Sequence, residues 1–535
     1  MAMAKADWWR GCVTYQIYPR SFQDSNGDGI GDLAGILRRL PYVAYLGVDA
    51  IWLSPVFTSP MRDMGYDVSD YCGIDPLFGT MADFDALLGK AHDLGLKVVI
   101  DQVLSHSSDQ HPLFRESRQS RTNTKADWYV WADPNPDGTP PNNWLSHFGG
   151  PAWTWDSRRK QFYLHNFLPS QPDFNFHNPE VQDWHLENIR FWLDKGVDGF
   201  RLDTVNYYFH DALLRSNPAL PQGMAEFDTI PYFMQDHVHQ KTQGENLGFV
   251  ERLRHLTDSY GDRAMVGEIS AGHRALQVMA DYTAGRDRLH MAYSFALLGP
   301  NFSARHFRDT VEGFFAAAPD GWPAWAFSNH DAIRHPSRWS AQGPPDKLAR
   351  LSCALLLSLE GSIYLYQGEE LGQTETDLEL SELRDPPGIT FWPDYKGRDG
   401  CRTPMVWDTS AFAGFSTVSP WLPVKPEQAA RHVAGASDDP ISVLALYRRM
   451  IALRKAAVPL RQGKTRFVDL PEPLLGFWRG ETLFCLFNLS TQPCVLPLAD
   501  AGSVLLAENA EVQHGQIALK PFGFVLIEGK ARQTD

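Results

Sequence analysis

Long apolar runs are missing from the 535-residue sequence, so no segment of it is a candidate for a membrane-spanning helix. The N-terminal segment MAMAKADWWRG also lacks the basic-then-apolar layout of a secretory signal peptide, and we therefore expect a cytoplasmic protein. An excess of positive charge is missing too, because 49 basic residues face 64 acidic ones and the net charge is -15. Nucleic acid and anionic membranes would repel such a chain, so the charge favours a neutral small-molecule partner.

Cysteine is scarce, and its spacing gives no support to a zinc site or a disulfide framework. The six cysteines are Cys12, Cys72, Cys353, Cys401, Cys485 and Cys494. Several of them lie in apolar segments, so we expect reduced structural thiols. No pattern indicates an organic cofactor, and the sequence does not indicate the oligomeric state.

One pattern recurs along the chain: a glycine that ends a helix, followed by a short apolar strand. It occurs at residues 47–53, 95–101, 196–206 and 261–268. Strands that alternate with amphipathic helices predict an α/β fold with a parallel sheet covered by helices. Because polar residues repeatedly follow these strands, we expect a (β/α)8 barrel whose active site lies at the carboxyl ends of the strands.

Two segments interrupt this pattern and predict further domains, as expected for a chain too long for a single core. Residues 107–178 are rich in Pro, Asn, Asp and Trp and too long for a structureless loop, so we predict a small domain inserted after the third strand, over the barrel mouth. Residues 459–535 read as strands alone and predict a C-terminal β-sandwich. The barrel would comprise residues 1–106 and 179–458.

The stretch 196–206 places an arginine and a carboxylate where a buried strand ends. Arg201 and Asp203 are two residues apart, so on a strand they face the same side and Arg201 can keep Asp203 ionised. Asp203 is therefore a candidate catalytic nucleophile. On this stretch alone, however, a buried structural ion pair is the better interpretation, since such pairs are common.

The acidic loop at residues 24–32 resembles the first half of an EF-hand. Its candidate ligands are the side chains of Asp24, Asn26, Asp28 and Asp32 and the carbonyl of Ile30. Gly35 stands where an EF-hand needs a bidentate glutamate, which argues against an EF-hand. We expect a structural Ca2+ ion in a different loop geometry; the alternative is a solvated loop of Asx turns.

Four short segments carry a resemblance to a known family. They are DQVLSH (101–106), GFRLD (199–203), VGEIS around Glu268, and SNHD (328–331). In order and spacing they resemble the four strand-end motifs of the α-amylase superfamily of glycoside hydrolases, in its bacterial α-glucosidase and oligo-1,6-glucosidase branch. GYDVSDY, QPDFN and GRDGCRTPM extend the resemblance over nearly the whole chain.

The resemblance implies three catalytic carboxyl groups. Asp203 would be the nucleophile, Glu268 the general acid/base, and Asp331 the carboxylate that stabilises the transition state. A retaining glycosidase needs an ionised carboxylate and a protonated carboxyl about 5 Å apart, and strand ends of a barrel can supply both. Burial and the neighbouring carboxylates would keep Glu268 protonated.

The resemblance also implies residues that bind the reacting glucose. His106 and His330 would hydrogen-bond its hydroxyls, and Tyr66 would stack on its ring. Outside these motifs, a lone histidine is more often a core residue, and Tyr66 could be an ordinary wall aromatic.

Further residues would shape the pocket and its specificity. Asp63 and Arg398 resemble an ion pair that closes the pocket floor, although a surface ion pair is the alternative. Phe148 and Phe167 are candidate aromatic walls. Thr204, next to the nucleophile, resembles the residue that accompanies α-1,4 rather than α-1,6 preference in this branch.

The sequence departs from the family pattern at two positions. Ser105 replaces the asparagine that usually precedes the histidine of the first motif, which would alter hydrogen bonds near the sugar or the cation. Pro41 lies within a helix predicted at residues 33–46 and should kink or split it.

The resemblance implies a retaining exo-α-glucosidase that acts on maltose, short malto-oligosaccharides or sucrose and can also transfer glucose. A sucrose isomerase or dedicated glucosyltransferase is the alternative, although the Arg-Leu-Asp-Arg-Asp stretch of such isomerases is absent. A non-catalytic, transporter-associated relative would lack the three carboxyl groups and carry a membrane segment.

Overall fold

The computed structural model of the protein describes residues 7–221, 223–224, 230–497 and 502–529. Residues 1–6, on which the expected location partly rests, and residues 530–535, at the end of the expected C-terminal domain, lie outside these ranges. Within them, eight parallel strands form one sheet. In chain order the strands are Val13–Ile17, Ala50–Leu53, Lys97–Gln102, Gly199–Leu202, Ala264–Ile269, Met291–Ser294, Ala324–Trp325 and Ser362–Tyr366.

The eight strands close into a barrel. The first six strands pair in chain order, the seventh pairs with the eighth, and the eighth pairs with the first. The remaining gap, between the sixth and seventh strands, is bridged by a parallel contact of Ala292 with Pro323. The predicted (β/α)8 barrel is therefore confirmed, and the carboxyl ends of all eight strands meet at one rim.

A long helix follows each strand of the described barrel. These helices are Leu33–Leu46, Met81–Asp93, Pro179–Lys195, Asn246–Asp258, Ala275–Thr283, Ala304–Ala317, Pro345–Ser358 and Val443–Ala456. Shorter helices lie in the connections and outside the barrel, at Pro112–Ser117, His335–Arg338, Pro386–Thr390, Pro426–Ala429, Val433–Asp438 and Val458–Gln462. None of the helices in the described ranges is long and apolar enough to cross a membrane.

The helix Pro179–Lys195 shows why glycine punctuates the sequence. The helix begins after Asn178, whose side chain accepts a hydrogen bond from the backbone N–H of Glu180. It ends at Gly196, which has a φ of 96°, a left-handed conformation that favours glycine. The chain then changes direction and enters the strand Gly199–Leu202, so the glycine determines where that strand begins in the barrel wall.

Of the two effects expected at Pro41, a kink or a split, the split does not occur. Leu33–Leu46 is one helix, with Pro41 inside it and Asp32 as its N-cap. Ile36, Leu40 and Val43 are fully buried on the face toward the barrel. Burial of this face stabilises the helix against the loss of one backbone hydrogen bond at proline.

The insertion at residues 107–178 contains its own small sheet. Three antiparallel strands form it, at Trp131–Ala132, Trp153–Asp156 and Gln161–Leu164. A separate two-stranded sheet, Phe57–Thr58 with Asp70–Ile74, follows the second barrel strand. The insertion joins the barrel rim through a backbone bridge between His106 and Asp173, which brings its side chains to the strand ends.

After the last helix, the described C-terminal residues form strands alone, as the sequence predicts. They lie at Thr465–Val468, Leu474–Arg479, Leu483–Asn488, Cys494–Pro497, Ser503–Gln513 and Gln516–Glu528. Over the described residues these strands hydrogen-bond into one six-stranded antiparallel sheet, and Leu474 and Leu486 of its first part pack against Ile517 and Leu519 of its last strand. The long strand Gln516–Glu528 connects the sheet because it pairs with three different strands.

A buried arginine on the last long helix holds several chain segments together. The Arg454 guanidinium donates to the carbonyls of Gly11, Leu357, Leu359 and Gly361. These carbonyls lie before the first strand, at the end of the helix Pro345–Ser358 and before the eighth strand. Arg454 thereby satisfies backbone acceptors where the barrel closes.

We expect Arg454→Met to destabilise the protein by about 2–3 kcal/mol, because buried carbonyls would lose their donor. Arg449→Met is the matched control, since Arg449 is exposed on the same helix; its effect should stay within about 0.5 kcal/mol. Thermal melting of both variants provides the measurement. Equal melting temperatures would contradict the role assigned to Arg454.

Candidate active site

Arg201 lies at the centre of the polar residues on the barrel rim. It is fully buried on the strand Gly199–Leu202, and its guanidinium contacts three carboxyl groups. Nη1 lies 2.8 Å from Asp101 Oδ1 and 2.7 Å from Asp203 Oδ1, and Nη2 lies 2.7 Å from Glu268 Oε2. The Arg201–Asp203 contact predicted from the sequence is therefore present, and the same guanidinium also links Asp203 to Glu268.

Strand register explains how these side chains come together. Asp101 is paired with Arg201 across the third and fourth strands, and Gly267 is paired with Leu202 across the fourth and fifth. Glu268 therefore lies one step further up the barrel, level with Asp203. Side chains at paired positions of a parallel sheet point to the same face, so all four point into the barrel.

Tyr293 completes the contacts of Arg201 and was not identified from the sequence. Its hydroxyl accepts hydrogen bonds from Nε and Nη2 of Arg201, at 3.1 and 2.8 Å, and donates to Glu268 Oε1 at 3.0 Å. Tyr293 is paired with Glu268 across the fifth and sixth strands. Its position at the end of a barrel strand is the only signal that could have pointed to it.

Asp203 and Glu268 have perturbed acidities with a shared cause. Burial raises the pKa of Asp203 to about 7, against the opposing charge of Arg201. Burial likewise raises the pKa of Glu268 to about 7; Arg201 opposes this shift and the charge of Asp203 adds to it. Near neutral pH the pair can therefore hold one proton between them.

The local contacts differ between the two carboxyl groups. Asp203 accepts hydrogen bonds from the Arg201 guanidinium and, at 3.2 Å on Oδ2, from the Thr204 hydroxyl. Glu268 accepts from the Tyr293 phenol and from the backbone N–H of Thr204 at 3.1 Å. Thr204 has a φ of 37°, and this left-handed turn places both its groups between the two carboxyls.

Asp331 lies among positive charges and is held ionised. Arg402 Nη2 is 2.8 Å from Asp331 Oδ1, and Arg398 Nη1 is 3.2 Å from the same oxygen. Burial acts to raise the pKa of Asp331, but His330, whose Nε2 lies 3.3 Å from Asp331 Oδ2, and the charges of Arg398 and Arg402 more than offset it and hold the pKa below its usual value. Arg402 was not identified from the sequence, although it lies inside the GRDGCRTPM motif.

Arg398 and Asp63 form the ion pair that the sequence predicts, with a third member. Arg398 Nη2 lies 2.9 Å from Asp63 Oδ1 and 2.6 Å from Asp385 Oδ1. Asp385 is fully buried and lies outside every sequence motif used above, so no local signal pointed to it. Burial raises the pKa of Asp63 to about 6 against the charge of Arg398.

His330 and Tyr66 pack against each other. Their rings are stacked 5.3 Å apart, and the Tyr66 hydroxyl lies 2.6 Å from His330 Nε2 and donates to Asp101 Oδ2 at 3.1 Å. Burial lowers the pKa of His330 to about 3, so the ring is neutral. Gln16 Nε2 donates to Nδ1 of this ring at 2.8 Å, which places the ring proton on Nε2.

His106 connects the barrel rim with the insertion. Its Nε2 lies 3.0 Å from the Tyr66 carbonyl and 3.2 Å from Gln171 Nε2. Gln171 also donates to Asp63 Oδ2 at 3.0 Å, so one amide of the insertion contacts both His106 and the floor ion pair. Gln171 opens the QPDFN motif but was not identified as a site residue.

Phe148 and Phe167 form an aromatic wall beside these residues, as predicted. The Phe167 ring is 5.1 Å from His106 and is stacked on Tyr207 at 5.6 Å. Phe148 lies 5.5 Å from Phe167, and the Arg398 guanidinium lies 4.9 Å from its ring. The insertion thus contributes one wall of the site; Tyr207 is an addition that sequence reasoning missed.

The acidic loop 24–32 does not join this site. It packs against residues 415–421, where Ser416 Oγ donates to Asp24 Oδ2 and Trp421 N–H donates to the Gly29 carbonyl. Its side-chain oxygens accept backbone N–H groups, as Asp32 does from Ser25 and Gly35. Across the part of the chain that the structure describes, no group of three Asp, Glu, His or Cys residues is arranged to hold a metal ion.

Comparison with known proteins gives consistent matches over most of the chain. The family model described as "Alpha amylase, catalytic domain" matches residues 16–463. A probable alpha-glucosidase of Rhizobium meliloti is 56% identical over 91% of this chain and 90% of its own length. An oligo-1,6-glucosidase of Heyndrickxia coagulans is 36% identical over 96% of this chain and 98% of its own length.

Two solved structures extend these similarities to the fold. The crystal structure of an alpha-glucosyl transfer enzyme has a TM-score of 0.94 and 54% identity, and the match covers 98% of this chain and 100% of that one. The trehalulose synthase of Pseudomonas mesoacidophila MX-45 has a TM-score of 0.90 and 33% identity, with the same coverage of both chains.

Proposed function

This chain belongs to the alpha-amylase family of glycoside hydrolases, and on that basis we propose that it is a retaining, exo-acting α-glucosidase. Its substrates would be short α-linked glucosides such as maltose, malto-oligosaccharides and sucrose, with α-1,4 linkages preferred, in the cytoplasm. The observation that carries the proposal is the contact of one buried guanidinium with both Asp203 and Glu268. That contact holds the two carboxyl groups beside each other at the ends of neighbouring strands, where one can attack and the other can donate a proton.

Asp203 and Glu268 would carry out the two displacements. Asp203 attacks the anomeric carbon as the glycosidic C–O bond breaks, and Glu268 gives its proton to the departing oxygen. Glu268 then takes a proton from water, the water oxygen attacks the same carbon, and Asp203 is released. Two inversions retain the α configuration.

Asp331 would act through its charge. Positive charge develops on the glucose ring in the transition state, and a carboxylate that stays ionised stabilises it. Arg398 and Arg402 keep Asp331 in that form, since both contact its Oδ1. Neutral His106 and His330 would be left to exchange hydrogen bonds with hydroxyls of the sugar, as the resemblance implies.

The ion pairs at the floor support exo action. Arg398 is held by Asp63 and Asp385, and Gln171 of the insertion is bonded to Asp63, so charged and hydrogen-bonded groups close one end of the site. A site closed in this way accepts the end of a chain and excludes its interior.

The enzyme should release α-glucose from maltose, and amylose viscosity should not fall ahead of glucose release. Asp203→Asn should abolish turnover, because an amide neither attacks the anomeric carbon nor stabilises positive charge. Asp198→Asn is a matched control that should retain activity, since Asp198 is a buried carboxylate near the opposite end of the same strand. Anomer-resolved NMR of the first product decides the matter: β-glucose would contradict the double displacement.

The pH profile of kcat/KM should be bell-shaped around neutrality. Activity should fall at lower pH as Asp203 gains a proton, and at higher pH as Glu268 loses its own, because both pKa values are raised to about 7. Glu268→Gln should slow hydrolysis of maltose by about 10²–10⁴-fold. With an aryl glucoside whose leaving group needs no proton, the variant should lose the alkaline limb; if the limb persists, Glu268 is not the acid.

The linkage preference is proposed to depend on Thr204. Its hydroxyl donates a hydrogen bond to Asp203, beside the proposed position of the second sugar of the substrate. The hydroxyl would therefore favour one linkage geometry of that sugar over another. We expect maltose to exceed isomaltose in kcat/KM by about 1–3 kcal/mol of transition-state free energy. Thr204→Val, which keeps the volume and removes the hydroxyl, should narrow or invert this ratio. An unchanged ratio would assign linkage preference to other residues.

We also propose a structural calcium ion in the loop 24–32. The loop residues suit a hard cation because their donors are all oxygen, and Asp28 and Asp32, which accept two hydrogen bonds each, retain acceptor capacity from their roughly four lone-pair sites. Asp24 already accepts four hydrogen bonds and would have to exchange one of them for the ion. When bound, the ion would add structural stability only.

Chelation should therefore lower the melting temperature while leaving activity at low temperature nearly unchanged. In Asp28→Ser, which removes one carboxylate of the loop, the melting temperature should no longer respond to the chelator. A wild-type melting temperature that chelation leaves unaltered would exclude the ion.

A dedicated α-glucosyltransferase is the second candidate, favoured by the 54% identity to a protein named an alpha-glucosyl transfer enzyme. Both activities pass through the same glucosyl-enzyme and differ in whether water or another hydroxyl attacks it. Product analysis with maltose and sucrose at increasing concentration separates them, because a hydrolase releases free glucose as its main product throughout.

A further inference from the structure

The Ser105 hydroxyl lies between two residues of the active site. Its Oγ is 2.9 Å from His106 Nδ1 and 3.3 Å from Thr204 Oγ1, and the residue is buried. The Thr204 hydroxyl continues this chain to Asp203 Oδ2 at 3.2 Å. Three hydrogen-bonding contacts therefore connect His106 to the nucleophile.

The proton positions in this chain follow from the groups around His106. Burial lowers the pKa of His106 to about 4, so near neutral pH the ring carries a single N–H. Two groups face Nε2: the Tyr66 carbonyl at 3.0 Å, which can only accept, and the Gln171 amide nitrogen at 3.2 Å, which donates to Asp63. The nearer carbonyl places the ring proton on Nε2. Nδ1 is then an acceptor, and Ser105 donates its hydroxyl proton to it.

The Thr204 hydroxyl consequently has two acceptors within reach. Ser105 Oγ has already given its proton to His106, so toward Thr204 it can only accept. Asp203 Oδ2 is the other acceptor, and while that carboxylate is ionised it forms the stronger hydrogen bond. Once Asp203 is esterified to the sugar, its charge is gone and the two acceptors become comparable.

We propose that Ser105 is a positioning residue that holds the tautomer of His106 and accepts the Thr204 hydrogen bond whenever Asp203 is bonded to glucose. The proposal rests on the function proposed above. In the step concerned, an Asp203 oxygen bonds to the anomeric carbon, the glycosidic bond breaks, and the leaving oxygen takes the proton of Glu268. The Thr204 proton stays on Thr204 throughout and changes only its acceptor.

This exchange would stabilise the glycosyl-enzyme relative to the free enzyme. Without Ser105 Oγ, the Thr204 hydroxyl would lose a strong acceptor on glycosylation and gain only a weak ester oxygen. Formation of the intermediate would then be slower and its breakdown faster. Ser105 also affects sugar binding through His106, but this effect is the same for formation and for breakdown of the glycosyl-enzyme. The ratio of the rate constant of formation to that of breakdown therefore isolates the effect on Asp203.

A fluorinated glucosyl fluoride that traps the glycosyl-enzyme measures both rate constants. In Ser105→Ala, the ratio of the inactivation rate to the reactivation rate should fall about threefold to tenfold, the range expected for one net hydrogen bond. Ser105→Cys should shift the ratio in the same direction, since a thiol is a weak acceptor. This variant provides the test if the alanine variant does not fold.

Two controls separate this role from a general structural one. Ser107→Ala removes another buried hydroxyl of the same loop, bonded to the Ser108 carbonyl and Tyr129, and should leave the ratio unchanged. In a Thr204→Val background, Ser105→Ala should no longer alter the ratio, because the donating hydroxyl is gone.

The proposal is overturned if Ser105→Ala and Ser105→Cys both keep the wild-type ratio, or if the shift persists in the Thr204→Val background. Failure of the proposed function has a different signature: the wild-type enzyme would form no covalent species on Asp203 at all. Mass spectrometry of the trapped wild-type enzyme therefore distinguishes the two failures.

Discussion

The contact of the Arg201 guanidinium with Asp101, Asp203 and Glu268 is the interaction on which the site depends. Three carboxyl groups buried together would repel one another and would each lose hydration, at a cost of several kcal/mol for each ionised group. One cation placed between them offsets part of that cost and fixes their separation. The barrel supplies the rigidity that this arrangement needs, because each carboxyl comes from a different strand.

Parallel pairing turns three separate sequence segments into one reaction centre. Each strand contributes a residue at a height set by its register, and a shift of one residue would turn the side chain to the opposite face. The glycines that end helices before the strands, such as Gly196, set where each strand starts. The position of a glycine in the sequence therefore helps to set the register of the strand after it, and with it the relative positions of the three carboxyl groups.

Much of the architecture could be predicted because its signals are local. The glycine-and-strand pattern predicted the barrel, and the spacing of Arg201 and Asp203 predicted their contact. Asp385 could not be found in this way, since it carries no local signature. Gln171 lies in a motif and Tyr293 at a strand end, but their contacts come from distant segments, so neither signal assigned a role to them. In the C-terminal domain the sequence pattern revealed strands alone, but not that the long strand Gln516–Glu528 pairs with three others.

Gln171 ties the insertion to the barrel through a single side-chain amide that contacts both His106 and Asp63. The insertion is thus part of the candidate active site and cannot be regarded as an interchangeable module placed over it. A recombination event that brought a foreign insertion to this barrel would preserve the three carboxyl groups but lose the amide that orients two of their neighbours. Replacement of the insertion would therefore alter the surroundings of His106 and Asp63 even if every barrel residue stayed the same.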